Sequence, residues 1–245
     1  MHKNQASIST QDGACRAYFI TPDGAGPWPA VILYGDAGGM RPAMLTMAER
    51  LASSGFAVLV PDLFYRFGPY APLVPTEVFN GDVGAILGPL IATTGVDKAA
   101  RDTEAFIAYL DSRNDVVGTR FGAVGFCMGG GLAIAAAGTF PTRIAAVASF
   151  HGGNLATAAL DSPHLLVPGI AAELYVASAA NDDTYPAAMA GRFEDALTQA
   201  EVRYVAETYQ EAAHGWMVPD FPTFSPSAAD RGWTQLVALL DRSLR

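Results

Sequence analysis

Gly125-Phe126-Cys127-Met128-Gly129-Gly130-Gly131 decides the fold of this chain. It follows an apolar run, Arg120-Phe121-Gly122-Ala123-Val124, that reads as a buried strand, and it opens an alanine-rich segment that reads as a helix. A strand, a tight turn presenting one nucleophile and then a helix form a nucleophile elbow. Side chains two positions to either side of the bend would collide with neighbouring backbone, and Gly125 and Gly129 remove them. The residue at the bend is cysteine. Its thiol meets the positive end of the helix dipole, a setting that favours thiolate. A buried structural cysteine is the plainer alternative for such a position.

Working outward, the chain alternates strands and helices. The N-terminus reads as an antiparallel hairpin, Ile8–Thr10 and Cys15–Ile20 about Asp12-Gly13, with Cys15 as a small strand residue. Ala30–Tyr34 and Phe56–Val60 are short apolar runs that suit buried parallel strands. The helix between them has Pro42 near its first turn and Gly55 just past its end. A helix is expected over Asp97–Leu110 and strands over Ala145–Phe150 and Glu173–Ala177. A helix over Ala187–Ala200, a strand over Arg203–Glu207 and a last helix over Ser227–Arg242 complete the series. This pattern predicts one α/β domain over residues 1–245, with a mostly parallel twisted sheet covered by helices on both faces. An irregular excursion at about 63–96, rich in Pro, Gly and aromatics, is expected to pass over the site, with helical turns near Val83–Thr93.

Composition narrows the function class. The 245 residues carry a net charge of −9 and show no Lys/Arg cluster, which argues against a nucleic-acid partner. No apolar run reaches the length of a membrane span, and no secretory leader is visible, so a cytoplasmic protein without a membrane partner is expected. The two cysteines lie far apart in sequence and are expected to be reduced. No His/Cys cluster has ligand spacing, so neither a metal nor another cofactor is expected.

Reactive residues fall in loops after strand ends, in the order Cys127, then Asp182 or Asp183, then His214. Nucleophile, acid, histidine is the chain order of α/β-hydrolases. The histidine would take the thiol proton and return it to the leaving group, while the carboxylate fixes the imidazole tautomer. Between the two aspartates the spacing does not decide, and either could cap the next helix. Of the other histidines, His2 is terminal and His164 sits in a Pro-flanked loop; His151 ends a strand and is read as a pocket residue. An oxyanion hole needs two backbone donors, one from Met128 and one from the glycine-rich loop Gly35-Asp36-Ala37-Gly38-Gly39. Asp36 itself reads either as a turn residue or as a carboxylate aimed at the thiol.

With these residues in hand, the chain from about Cys15 to Leu240 resembles the dienelactone hydrolase (carboxymethylenebutenolidase-like) family of the α/β-hydrolase superfamily. The elbow matches that family's Gly-x-Cys-x-Gly-Gly, and Pro61-Asp62-Leu63 and the late His214 match further motifs. The resemblance implies Asp182 as the acid, because Pro186 follows four residues on, and Ala37 as the second oxyanion donor. It implies that Asp36, where the family usually has glutamate, pairs with the thiol. It also implies arginines that hold a substrate carboxylate, yet Gly215-Trp216-Met217-Val218 and the stretch 67–98 contain none. Arg66 and Arg41 are the nearest arginines; Arg66, His151 and Trp216 are taken as substrate-lining. The expected activity is hydrolysis of a small-molecule ester or lactone through a Cys-His-Asp triad, by a monomer or homodimer. A non-catalytic small-molecule binding protein on the same scaffold, and a redox-responsive thiol protein, are the competing classes.

Overall fold

In the computed structural model, which describes residues 1–245, eight strands form one sheet in the order β1-β2-β4-β3-β5-β6-β7-β8. β1 (His2–Thr10) and β2 (Gly13–Thr21) make the antiparallel hairpin, and β2 runs antiparallel to β4 (Ala57–Pro61). β3 (Ala30–Tyr34), β5 (Phe121–Phe126), β6 (Ile144–Phe150), β7 (Glu173–Asn181) and β8 (Tyr204–Ala213) continue the sheet, and every pairing from β4 to β8 is parallel. The hairpin turn falls on Gln11-Asp12, one residue earlier than the Asp-Gly signal suggested, with Gly13 at φ 131° paired to Thr10.

Alternation along the central strands sorts their side chains into two cores. Ala30, Ile32 and Tyr34 face one layer while Val31 and Leu33 face the other. α4 (Val96–Asp111), α5 (Met128–Thr139) and α6 (Ala187–Gln199) cover the first face; α1 (Pro42–Ser53) and α7 (Pro226–Leu244) cover the second. Strands buried on both faces need no polar alternation, which is why β3, β5 and β6 are continuous apolar runs.

The excursion is more ordered than its composition suggested. It holds a 3-10 turn at Tyr65–Phe67, a short α2 (Pro75–Asn80) and α3 (Val83–Ile91), the last capped by the Asp82 carboxylate, which accepts from the Ala85 amide. A further 3-10 stretch spans Pro163–Gly169. β7 and β8 run several residues beyond their expected ends, and β8 therefore delivers the chain directly to His214.

The sheet order reverses between β3 and β5. From β3 the chain crosses to β4 on one side, and it then returns to β5 on the other. A crevice opens at the carboxyl ends of two such neighbouring strands, where loops leave in opposite directions. The loop after β3 carries Asp36 and Ala37, and the bend after β5 carries Cys127.

The glycines of the bend allow α5 to sit this close to the sheet. A Cβ on Gly125 would land on the Gly129 carbonyl, and one on Gly129 would land on the Tyr34 carbonyl and lie 2.5 Å from that of Gly35. These neighbours are backbone and cannot rotate away. Gly129→Ala should therefore cost about 3 kcal/mol or more, read from the urea midpoint at unchanged m-value. By contrast Gly191→Ala, inside α6 with nothing within 4 Å of the added carbon, should stabilise by ~0.5–1 kcal/mol.

Candidate active site

Cys127 sits at φ 53° and ψ −119°, a conformation in which an L side chain is strained. Its amide donates to the Phe150 carbonyl at 3.0 Å and to His151 Nδ1 at 3.1 Å, and its own carbonyl accepts from the Gly130 amide. The bend is thus tied to the end of β6 on one side and to the first turn of α5 on the other. The side chain stands clear of the sheet at the start of α5.

His214, in the first turn after β8, brings Nε2 to 3.0 Å from Cys127 Sγ. Its Nδ1 lies 2.7 Å from Asp182 Oδ2. Asp182 follows β7 directly and opens a turn, where Oδ1 accepts from both the Thr184 amide (2.9 Å) and the Thr184 hydroxyl (2.6 Å). Asp183 is exposed, so the structure distinguishes the two aspartates where spacing alone did not. Thr184 was not foreseen. Its signal is a hydroxyl residue two positions after an aspartate, the Asx-turn spacing.

Burial opposes charge on His214 and Asp182, and the hydrogen bonds outweigh it. For His214, burial disfavours the imidazolium, but the bonds to Asp182 and Cys127 raise it to about 10. For Asp182, burial works upward, yet the bonds from His214 and Thr184 hold its carboxyl below the ordinary range. The arrangement stores a proton on His214 beside the sulfur.

The Ala37 and Met128 side chains line the same cleft as Cys127 and His214, and neither residue's amide donates to another backbone group. Two free N–H groups from two loops are what a developing oxyanion needs.

Four other expectations are corrected. Asp36 is fully buried, and Arg41 takes both of its oxygens, at 2.6 and 2.9 Å; Oδ1 also accepts from the Gly38 amide. It makes no hydrogen bond to the thiol, because a buried guanidinium five residues on is the stronger partner. Arg41 spans Asp36 and Asp220, which together hold it protonated although burial works against its charge. Arg66 does not line the cleft. It forks onto Asp102 at 2.7 and 2.9 Å and bonds Asp12 at 2.8 Å, pinning the hairpin tip to α4. Trp216 is fully buried, stacked on Tyr209 at 4.2 Å. His151 is also fully buried, beneath the bend, and is a support of the elbow amide where a pocket residue was expected.

Cys15 is buried, and its thiol is pushed up to about 12, chiefly by burial. It is a core residue far from the trio's chemistry. Among the described residues no group of three or more His, Cys, Asp or Glu is arranged to hold a metal ion, and no helix is long and apolar enough to cross a membrane.

Two outcomes follow from these charges. His214 binds its proton more tightly folded than unfolded, so its stabilisation is complete below pH 6.5 and is lost as pH rises toward about 10. Urea unfolding across that window should show a fall in stability that His214→Gln lacks. Arg41→Met strands the buried Asp36 charge and should cost about 3–5 kcal/mol, with part recovered in the Asp36→Asn/Arg41→Met double variant.

Comparison with known proteins places this geometry. The sequence pattern of the Dienelactone hydrolase family matches residues 15–244. A Synechocystis sp. protein named "Putative carboxymethylenebutenolidase" is 26% identical over 244 residues, covering 98% of this chain and 96% of that one. A Bradyrhizobium sp. protein named "Probable 2-oxo-3-(5-oxofuran-2-ylidene)propanoate lactonase" is 25% identical over 241 residues, covering 95% and 91%. Among solved structures, a Klebsiella pneumoniae protein named "Putative Dienelactone Hydrolase" superposes with a TM-score of 0.87 at 22% identity, covering 98% of each chain. With an eight-stranded sheet of the same architecture and a match that spans nearly its whole length, the chain belongs to the dienelactone hydrolase family.

Proposed function

We propose that this chain hydrolyses carboxylic esters or lactones by covalent catalysis from Cys127. The observation that carries the reading is the unbroken relay from Cys127 Sγ to His214 Nε2, at 3.0 Å, and from His214 Nδ1 to Asp182 Oδ2, at 2.7 Å, opening into a cleft of about 590 Å³. A histidine held by a carboxylate and touching a perched sulfur activates a nucleophile.

In the first half-reaction the thiol proton resides on His214 Nε2 and the sulfur attacks the carbonyl carbon. The carbonyl oxygen becomes an oxyanion facing the Ala37 and Met128 amides. As the oxyanion collapses, the bond to the leaving oxygen breaks and His214 gives that oxygen its proton. An alcohol departs, or in a lactone the freed hydroxyl stays attached through the acyl chain. In the second half-reaction His214 takes a proton from water and hydroxide attacks the thioester. The carbon–sulfur bond breaks, and the carboxylic acid leaves. Asp182 keeps Nδ1 protonated throughout and stabilises the imidazolium; Thr184 fixes Asp182.

Intact-mass measurement during turnover of a short ester should show one acyl group on the wild type and none on Cys127→Ala. The same substitution should lower kcat/KM by at least roughly a thousandfold, and Asp182→Asn by on the order of 10²–10⁴. Full activity in folded Cys127→Ala would sink the reading.

A further inference from the structure

Two spaces meet at the sulfur. One is the open cleft already described. The other is a smaller chamber of about 250 Å³ on the far side of the trio, bordered by Cys127, His214 and Thr184. Its remaining walls are apolar side chains from α2, α3 and their flanking loop, chiefly Leu73, Val78, Phe79, Val83 and Leu87, closed by Phe221 from the loop before α7. An apolar cavity of ~150 Å³ already holds benzene, so this chamber has room for a phenyl ring or a chain of similar bulk.

Charged side chains are few on the walls of both spaces. Apart from His214, Asp161 of the open cleft is the one charged side chain on either wall. No arginine lines either space, and Arg41 and Arg66 are committed elsewhere, Arg41 to Asp36 and Asp220 and Arg66 to Asp102 and Asp12. Around the mouth, the excursion exposes Val74, Phe79, Val83, Ile86 and Ile91; of these, Phe79 and Val83 line the chamber and Ile91 lines the cleft. A patch of exposed large apolar side chains concentrated at a concave site marks it for an apolar ligand.

We infer that the substrate is an uncharged ester or lactone with a bulky apolar group, which seats in the α2–α3 chamber while the remainder lies in the open cleft. This rests on the hydrolase reading above and adds the substrate class. A carboxylate placed in either space would lose its water and find no cation beyond the His214 ring, which already serves Asp182 and the sulfur, and in the cleft it would face Asp161.

The test uses wild-type protein and two ester series. One lengthens the acyl chain from acetyl to octanoyl on a fixed p-nitrophenol; the other lengthens the alkyl alcohol under a fixed acetyl group. In one of the two, kcat/KM should rise roughly fourfold per methylene until the chamber is full. An ester ending in a carboxylate should react more than about 100-fold more slowly than its uncharged isostere. Phe79→Arg, at an exposed position of α2, should lower the ratio of long-chain to acetyl rate and narrow the carboxylate penalty, with a urea midpoint confirming the fold. Turnover of acetyl esters with no chain-length dependence in either series overturns the chamber assignment, as does equal or faster reaction of the carboxylated ester. Failure of every ester to acylate Cys127 is a different result, which removes the hydrolase reading and this inference with it.

Discussion

Backbone-to-backbone packing at the bend after β5 is the constraint on which the rest depends. The strained conformation of Cys127 costs on the order of 1–3 kcal/mol and persists only where its surroundings over-determine it. Here the first turn of α5 presses against the end of β3 with no side chain between them, Gly129 lying on the Tyr34 carbonyl, and Gly130 packs on the Ser149 side chain and the Gly152 backbone at the end of β6. That contact sets the height of the sulfur above the sheet and the position of the Met128 amide beside the loop after β3. The histidine and the acid arrive from β8 and β7, so the parallel register of β6, β7 and β8 sets their distance from the bend. Precision at the site is therefore a property of the sheet and one helix, and loops supply only the last residue or two.

Charges are partitioned as strictly as space. Arg41 with Asp36 and Asp220 locks the loop after β3 to the segment after His214, and Arg66 with Asp102 and Asp12 locks the hairpin to α4. Each cluster satisfies its own ions, which is the condition for burying them at all. The result is a cleft and chamber whose walls carry Asp161 as their one charged side chain besides His214, although the chain as a whole carries −9.

The sheet was largely legible because buried parallel strands are continuous apolar runs closed by turn residues, as at Ala30–Tyr34 and Ile144–Phe150. β1 and β8 were read too short for the opposite reason. As edge strands they alternate exposed polar residues, such as Thr208 and Gln210, whose hydropathy resembles that of a loop. The elbow and the order of its partners were legible because glycine spacing and chain order survive without coordinates. Partner choice was not. Nothing in the sequence says whether Asp36 faces a thiol or an arginine, since Arg41 reaches it only after the chain has turned into α1. Arg66 and Trp216 were misplaced likewise, one held by a carboxylate on α4 and the other folded under β8. The apolar chamber was hidden because α2 is too short to show a helical period.

His151 shows how two histidines in one site acquire different work. Its Nδ1 accepts from the Cys127 amide, so in the neutral ring the proton must be on Nε2. Burial, aided by the charge of His214 with ring centroids 5.4 Å away, pushes His151 down to about 3, while contact with Asp182 and Cys127 raises His214 to about 10. Environments that drive two titratable groups apart assign their roles. A charged His151 would lose its bond to the elbow amide and repel a charged His214. Kept neutral, it supports the bend, at the cost of a buried Nε2–H with no polar partner among the rings of Phe126, Trp216 and His214. An unsatisfied buried donor costs about 1–3 kcal/mol. That cost is borne directly beneath Cys127, where a polar partner for Nε2–H would also bring dielectric and alternative proton acceptors under the Cys127–His214–Asp182 trio.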